Sequence, residues 1–454
     1  MAAVAVTIVV LLTAVAALAL AGCGDDGDER APAAHAAAAP WLFTSDVHFT
    51  PFLGADEGLV DRLQAAPVSA WQQLLRETGE RSSRYGQDSN AALLESALTA
   101  MRQQAPRAPV VVITGDLLAH HFQDTYDSLA SNPTQASYEA FVDKTVAYLA
   151  ARFDATFPSA QFVLALGNND SWCGDYALEP GSGFLAHAAQ AWEPLVNRDG
   201  RAPGFRASFA RLGSYSAALP LPGLDVIAID DVFWSRNYSD DCGDAGEDPG
   251  AELASWLERT AQQLPSGDRA WLATHIPPGV DAHTSAKHPD DPQPLLHAGH
   301  QATLLDVLDD DRFPALVFGH LHMSTYRIGD ETPMLGVPSI SPRDGNNPAF
   351  LTVAVGSDGT IADYDAYALD VTAAAPAWRH EYGFRDTYGA AAFDVPSLRA
   401  LQRRLATDTR LRHDYERYYG SGGQPQISDG EYPAYACASS ALTPAAFTAC
   451  ESGG

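Results

Sequence analysis

Several short apolar runs in this 454-residue chain end in acids, amides and histidines. WLFTSDVH supplies Asp46 and His48, and PVVVITGDLLAHH supplies Asp116, His120 and His121. QFVLALGNND supplies Asn168, Asn169 and Asp170; AWLATH supplies His275; ALVFGHLH supplies His320 and His322. Where D-x-H or H-x-H leaves a strand, residues i and i+2 face the same side, so both side chains reach one metal. Imidazole and carboxylate donors suit zinc, manganese or iron. A carboxylate such as Asp116, set between two cations, gives one oxygen to each. Taken singly, each motif is common, and a lone His after a strand is usually a hydrogen-bonded core residue. Their repetition at the ends of successive apolar runs is what carries weight.

The elements that must position these residues are α/β in pattern. Continuous apolar runs at 109–116, 161–168, 224–231, 270–275, 315–320 and 349–356 predict strands buried on both faces. Helical spacing recurs between them, at 90–104 and 137–153. Alternation of this kind argues for helices on the outer faces of the sheets. At 393–420 a stripe of Leu398, Leu401 and Leu405, with Pro396 near the start and Gly420 at the end, predicts a helix or helix pair packed on the main domain. No internal repeat, P-loop or GxGxxG element is present. In open α/β sheets, ligands bind where strands end, which is where these motifs lie.

The order Asp-x-His, Gly-Asp, Gly-Asn-x-Asp, His and Gly-His-x-His resembles the calcineurin-like metallophosphoesterase superfamily over nearly the whole catalytic domain. The resemblance implies a four-layer αββα sandwich, followed here by a C-terminal helical extension. It also implies two divalent metal ions, zinc first and manganese or iron as alternatives. Asp46, His48, Asp116 and His322 would hold one ion; Asp116, Asn168, His275 and His320 would hold the other. The reaction implied is in-line attack on phosphorus by hydroxide held between the ions.

SDVHFTPF, GDLLAH, THIPPG, PSISPRDGNNPAF and the C-terminal YACASSALTPAAFTAC narrow the resemblance to the acid sphingomyelinase-like phosphodiesterase branch. Much of the superfamily has GNH where this chain has GNN, so Asn169 stands in the place of a proton donor near the leaving group. The resemblance therefore assigns the general acid to His120, with His121 structural or solvent-facing. Asp170 is read equally as orienting Asn169 or a ligand and as an acidic turn residue. Asn346 and Asn347 are read equally as cleft lining and as turn chemistry. His283, His288, His297 and His300 read as a solvated loop rather than a substrate lid.

The remaining features bound the setting. A formal charge of −29, from 57 acids and 28 bases, argues against nucleic acid as a partner. Residues 1–22 are an uncharged apolar stretch running into LAGC, which reads as a lipoprotein signal peptide that leaves Cys23 as the lipidated N-terminus. No basic residue precedes the apolar core; the competing reading is a transmembrane anchor. Either way the protein is exported, and the lipoprotein reading places it in the cell envelope, tethered to a membrane. Residues 23–40 read as a flexible tether, 41–370 as the catalytic domain and 371–454 as the helical, disulfide-bearing extension. Setting Cys23 aside leaves four cysteines, which in an oxidising compartment suggest two disulfides. Of three pairings, the short loop favours Cys437 with Cys450, leaving Cys173 with Cys242; free buried thiols are the alternative.

The expected activity is hydrolysis of a small phosphodiester, sphingomyelin among the candidates. Two alternatives stand beside it: a hydrolase of phosphomonoesters, nucleotides or polyphosphate at the same centre, and a non-catalytic surface binding protein with the same fold. Oligomeric state and the identity of the substrate are left open by the sequence.

Overall fold

The computed structural model describes residues 39–54, 58–243 and 248–453. The apolar leader, Cys23 and the tether as far as residue 38 lie outside the described residues. In chain order the strands are β1 (Trp41–Thr44), β2 (Val110–Thr114), β3 (Gln161–Ala165), β4 (Tyr215–Ala218), β5 (Leu224–Ala228) and β6 (Arg269–Ala273). They continue as β7 (Leu316–Phe318), β8 (Thr325–Ile328), β9 (Pro333–Gly336), β10 (Ala349–Val355), β11 (Ile361–Leu369) and β12 (Trp378–Gly383). One six-stranded sheet has the order β12-β11-β10-β1-β2-β3, and the other β4-β5-β6-β7-β9-β8.

Both sheets are mixed. β1, β2 and β3 run parallel in the first, and β5, β6, β7 and β9 run parallel in the second. Every residue of β2 and β3 is buried, which is why these strands are continuous runs of Val, Ile, Leu and Phe. The edge strand β12 instead exposes Arg379 and His380, charged or polar groups that discourage a further strand from pairing there.

The sheets pack face to face. The Trp271 ring on β6 lies 5.0 Å from that of Trp41 and 5.7 Å from that of Phe43, both on β1. The Trp271 indole N–H donates to the Gly359 carbonyl at 2.7 Å, so the ring is buried without an unmet polar group. Outside the first sheet, helix Gln135–Thr156 begins with a capping box of Thr134 and Ser137. Its buried stripe brings Phe153 to 6.2 Å from Phe162 of β3. Burial of each such aromatic or aliphatic side chain contributes about 1.5–3 kcal/mol. Helices Pro249–Gln262 and Ala298–Leu308 pack on one another beside the second sheet. Among the described residues, no helix is long and apolar enough to cross a membrane.

The six apolar runs are all strands, but β4, β8, β9, β11 and β12 had no comparable sequence signal. β4, β8 and β9 have four residues each. β11 and β12 interleave exposed polar residues. Pairing of β12 with β11 carries the first sheet past residue 370, so that boundary falls between two strands of one sheet. The helical stretch at 393–420 is a pair, Val395–Leu405 and Thr409–Tyr419, because Asp408 caps a second start. The extension docks by backbone bonds from Ser324 N–H to the Tyr419 carbonyl and from Ile328 N–H to the Ser439 carbonyl, each 2.8 Å.

Candidate metal centre

Asp46 and His48 follow β1, Asp116 follows β2, Asn168 follows β3, His275 follows β6, and His320 and His322 follow β7. The parallel strands thus deliver their C-terminal ends to one place. Asp46, His48, Asp116, His320 and His322 all have left-handed φ, from 41° to 68°. For residues with a Cβ this conformation is sparsely populated, and strain of this kind persists where surrounding structure holds it, often at a functional site. Gly167 answers a different constraint: a Cβ there would sit 2.2 Å from Asp116 Oδ1.

The seven residues form two sets of facing donor atoms that meet at Asp116. In the first, His48 Nε2 lies 3.0 Å from His322 Nε2. It lies 3.3 Å from Asp116 Oδ2 and 3.9 Å from Asp46 Oδ1. In the second, Asn168 Oδ1 lies 3.0 Å from His275 Nε2 and 2.9 Å from His320 Nδ1, and His275 Nε2 lies 3.4 Å from Asp116 Oδ2.

The outer contacts determine what these atoms offer. His48 Nδ1 is 3.0 Å from the Leu118 carbonyl, His275 Nδ1 is 2.7 Å from the Thr114 carbonyl and His322 Nδ1 is 2.9 Å from Asp344 Oδ2. Each outer nitrogen must carry its proton to satisfy an oxygen, so in the neutral ring the inner nitrogen is a bare lone pair. Asn168 Nδ2 donates to Asp175 Oδ1 at 2.5 Å, which turns the amide oxygen inward. With the rings neutral, lone pairs, a carbonyl oxygen and carboxylates therefore converge on the same space. That donor set fits divalent cations.

The electrostatics agree. Burial opposes charge on His275, but the Asp116 and Asp46 carboxylates outweigh it and push the ring up to about 10. His322 is likewise raised to about 9 against its burial, by Asp46 and Asp344. Burial pulls His48 and His320 down to about 3. Asp116 is buried too, yet His275 and His48 hold it well below the usual carboxylate range. The cluster draws positive charge, and cations binding there would displace the ring protons.

His120 stands at the rim. Its ring stacks on His48 with centroids 4.1 Å apart, and its side chain is 24% exposed. Its Nδ1 is 3.0 Å from Asp88 Oδ1. Asn169 is turned inward: its backbone N–H donates to Asp116 Oδ1 at 2.8 Å and its amide to Oδ2 at 3.1 Å. Asp170 accepts from the N–H groups of Leu117, Leu118 and Gly167 at 2.8, 3.0 and 2.9 Å, clamping the turn after β3 to the turn after β2. His121 is exposed, immediately before helix Phe122–Leu129.

Asn346 and Asn347 hold backbone rather than line the cleft, through bonds to the Ser341 and Ser421 carbonyls at 2.9 and 3.1 Å. The loop at 281–300 divides. His283, with Asp281 and Leu295, lines a cavity of about 400 Å³ beside His320, opposite Tyr419 and Tyr435 of the C-terminal extension. His288 and His297 are exposed, and His300 stacks on Trp234.

Four supporting acids were not singled out in the sequence. Asp231 accepts from the N–H groups of His275 and Ile276 at 3.2 and 3.1 Å; Asp88, Asp175 and Asp344 hold His120, Asn168 and His322 as above. Three of them lie in or beside stretches already named, the apolar run 224–231, GNND and PSISPRDGNNPAF, whereas Asp88 sits in a loop without a motif. Disulfides join Cys173 to Cys242 and Cys437 to Cys450. The first links the loop after Asn168 to the loop after β5, where Ala177 also bridges Ser239.

Comparison with known proteins places these features in context. The pattern describing the calcineurin-like phosphoesterase family matches residues 39–324. Sphingomyelinase phosphodiesterase D of Dictyostelium discoideum is 25% identical over 396 residues, covering 81% of this chain and 80% of the relative. Acid sphingomyelinase-like phosphodiesterase 3b of Mus musculus is 25% identical, covering 83% of this chain and 80% of the relative. Sphingomyelin phosphodiesterase of Homo sapiens is 26% identical, covering 85% of this chain and 60% of the relative.

Proposed function

Because the chain belongs to the calcineurin-like phosphoesterase family, a family of phosphoric ester hydrolases, we propose that it is an exported, two-metal phosphodiesterase. The observation that carries this reading is the sharing of one carboxylate: a single oxygen, Asp116 Oδ2, rather than one oxygen for each ion, lies within 3.4 Å of both His48 Nε2 and His275 Nε2, because Oδ1 accepts the Asn169 N–H. Asp46, His48, Asp116 and His322 would hold one ion, and Asp116, Asn168, His275 and His320 the other. Zinc suits a set rich in imidazole. Held there, two such ions would supply Lewis acidity toward phosphate oxygens and a water made acidic near neutral pH.

The chain's own groups supply the rest. Asn169 keeps Asp116 oriented through its two donated bonds. His120, its Nδ1 engaged by Asp88, has its other ring nitrogen free to carry a proton to the departing alkoxide. The resemblance to sphingomyelin phosphodiesterases supports a diester substrate, and sphingomyelin is the first candidate. Export with a lipid anchor on Cys23 is supported by the apolar leader ending in LAGC and by two disulfides.

The test is metal content together with turnover by the purified protein on a panel of phosphodiesters, phosphomonoesters and pyrophosphates. About two bound ions and preferential diester cleavage are expected. A metal-free, inert protein would instead indicate a binding protein that has kept the fold. Mass analysis of the membrane-extracted protein should find an acylated Cys23 at its N-terminus; an unacylated chain that keeps residues 1–22 would favour a transmembrane anchor.

A further inference from the structure

A cavity of about 560 Å³ lies away from the metal centre and shares no lining residue with it. One wall is the loop carrying Arg81, Ser82, Ser83 and Arg84, together with Ser96 of helix Ala91–Gln104; the turn at 369–376 closes the other side. In a chain with 57 acids and 28 bases, two arginines in one cavity would ordinarily be paired. Neither guanidinium has a hydrogen-bonded or ion-paired partner among the described residues.

The nearby carboxylates are engaged elsewhere. Asp370 accepts from Thr372 N–H and Oγ1 at 2.8 and 2.6 Å. Glu80 lines a different cavity, with Gln72 and Glu95, and burial pushes it up to about 7 against a hydrogen bond from Asn90. The loop itself is ordered: Asn90 Nδ2 donates to the Arg81 carbonyl at 2.6 Å, Ser83 Oγ to the Asp88 carbonyl at 2.7 Å, and Arg84 N–H to Gln87 Oε1 at 2.9 Å. The arginines are thus presented from fixed backbone. Hydroxyls accompany them: Ser82 Oγ, without a partner among the described residues, lies just beneath the surface, and Ser96 Oγ accepts from Trp378 Nε1 at 2.9 Å while keeping its own proton to give.

Two guanidinium groups lining one cavity, with hydroxyl donors beside them, offer the donors that the oxygens of a tetrahedral phosphate accept. We propose that this cavity is a second, non-catalytic binding site for a phosphate group, either inorganic phosphate or the phosphate of a lipid headgroup. The site is independent of the reading given for the metal centre. The loop that forms it also bears Asp88, so an occupant would rest on the backbone that holds His120.

The experiment uses the full chain, metal-loaded, in a Cys23→Ser background so that no acyl group anchors it. Calorimetric titration with inorganic phosphate is compared between this protein and its Arg81→Ala/Arg84→Ala variant. Flotation with phosphatidylglycerol vesicles, against phosphatidylcholine vesicles, forms the second arm. Both arginines are exposed, so the variant should keep its fold and its turnover on a small diester. Loss of one phosphate site, or weakening of that site by about ten-fold or more, identifies free phosphate as the ligand. Loss of phosphatidylglycerol binding alone identifies a lipid headgroup. A variant that matches its parent in both arms overturns the proposal.

Discussion

Asp88 grips His120 twice, with Oδ1 at 3.0 Å from the ring Nδ1 and Oδ2 at 3.0 Å from the backbone N–H. Arg343 approaches the same carboxylate at 3.5 Å and Ser341 Oγ at 3.4 Å, so the acid is itself held. The carboxylate sets the tautomer: with Nδ1–H committed to Asp88, Nε2 is the nitrogen that would exchange a proton with substrate in the proposed reaction.

His120→Ala should keep the bound metals and lose about 10²–10⁴-fold in kcat on esters with basic leaving groups, the usual share of one general acid. Activated nitrophenyl esters, whose leaving groups need no proton, should be much less affected. An equal loss on both ester types would remove His120 from that role. Asp88→Asn should show the same leaving-group dependence in weaker form.

Asp116→Asn and His320→Ala should abolish turnover through loss of metal rather than of fold. Elemental analysis of the purified variants checks the first point and thermal melting the second. Full metal occupancy in Asp116→Asn would disprove the sharing of this carboxylate.

Asp175→Ala frees the Asn168 amide, which Asp175 now orients through a 2.5 Å bond. Removing such an outer partner typically costs about 10–100-fold in metal affinity. Competition with a chelator should register that loss on one of two ions, with the other unchanged.

The Cys173–Cys242 disulfide closes a loop of 69 residues in sequence separation. Replacing both cysteines with alanine should lower unfolding free energy by about 2–4 kcal/mol, measured by denaturant titration. Because the bond lies beside the loop that carries Asn168, a weaker second metal site should accompany it.

Asp230 is buried, and burial followed by the neighbouring Asp231 holds its pKa well above the usual range. In the folded state it therefore keeps its proton at pH values where the unfolded chain, with a pKa of about 3.9, has lost it. The unfolded state then binds fewer protons, so stability falls as pH rises above that value, by up to about 1.4 kcal/mol per pH unit. Asp230→Asn should flatten this dependence in urea titrations at pH 5 and pH 7.5; an unchanged slope would place the proton elsewhere.

Much of the cluster was legible in the primary structure because each candidate ligand follows an apolar run, and parallel strands buried on both faces have a strong linear signal. Asp46, Asp116, Asn168, His275 and His320 stand at strand ends that point to one edge of the fold, and the periodicity of strands already implies that edge. The short and polar strands were silent for the opposite reason. β8 and β9 form a short hairpin of four-residue strands, too brief for an apolar run to mark, and β12 is an exposed edge whose residues alternate without one.

The outer acids were decided by folding alone. Asp88 is 32 residues from His120, and Asp344 is 22 residues from His322, on a loop that returns from β9. No local pattern marks such pairs, since a carboxylate in a turn looks the same whether it caps backbone or orients an imidazole. The same holds for Asn169: its identity could be read along the chain, but its inward rotation onto Asp116 follows from packing β2 beside β3. The primary structure carries the donor atoms because their chemistry is local to each strand end. The tertiary structure supplies their orientation, because that depends on contacts between segments the chain places far apart.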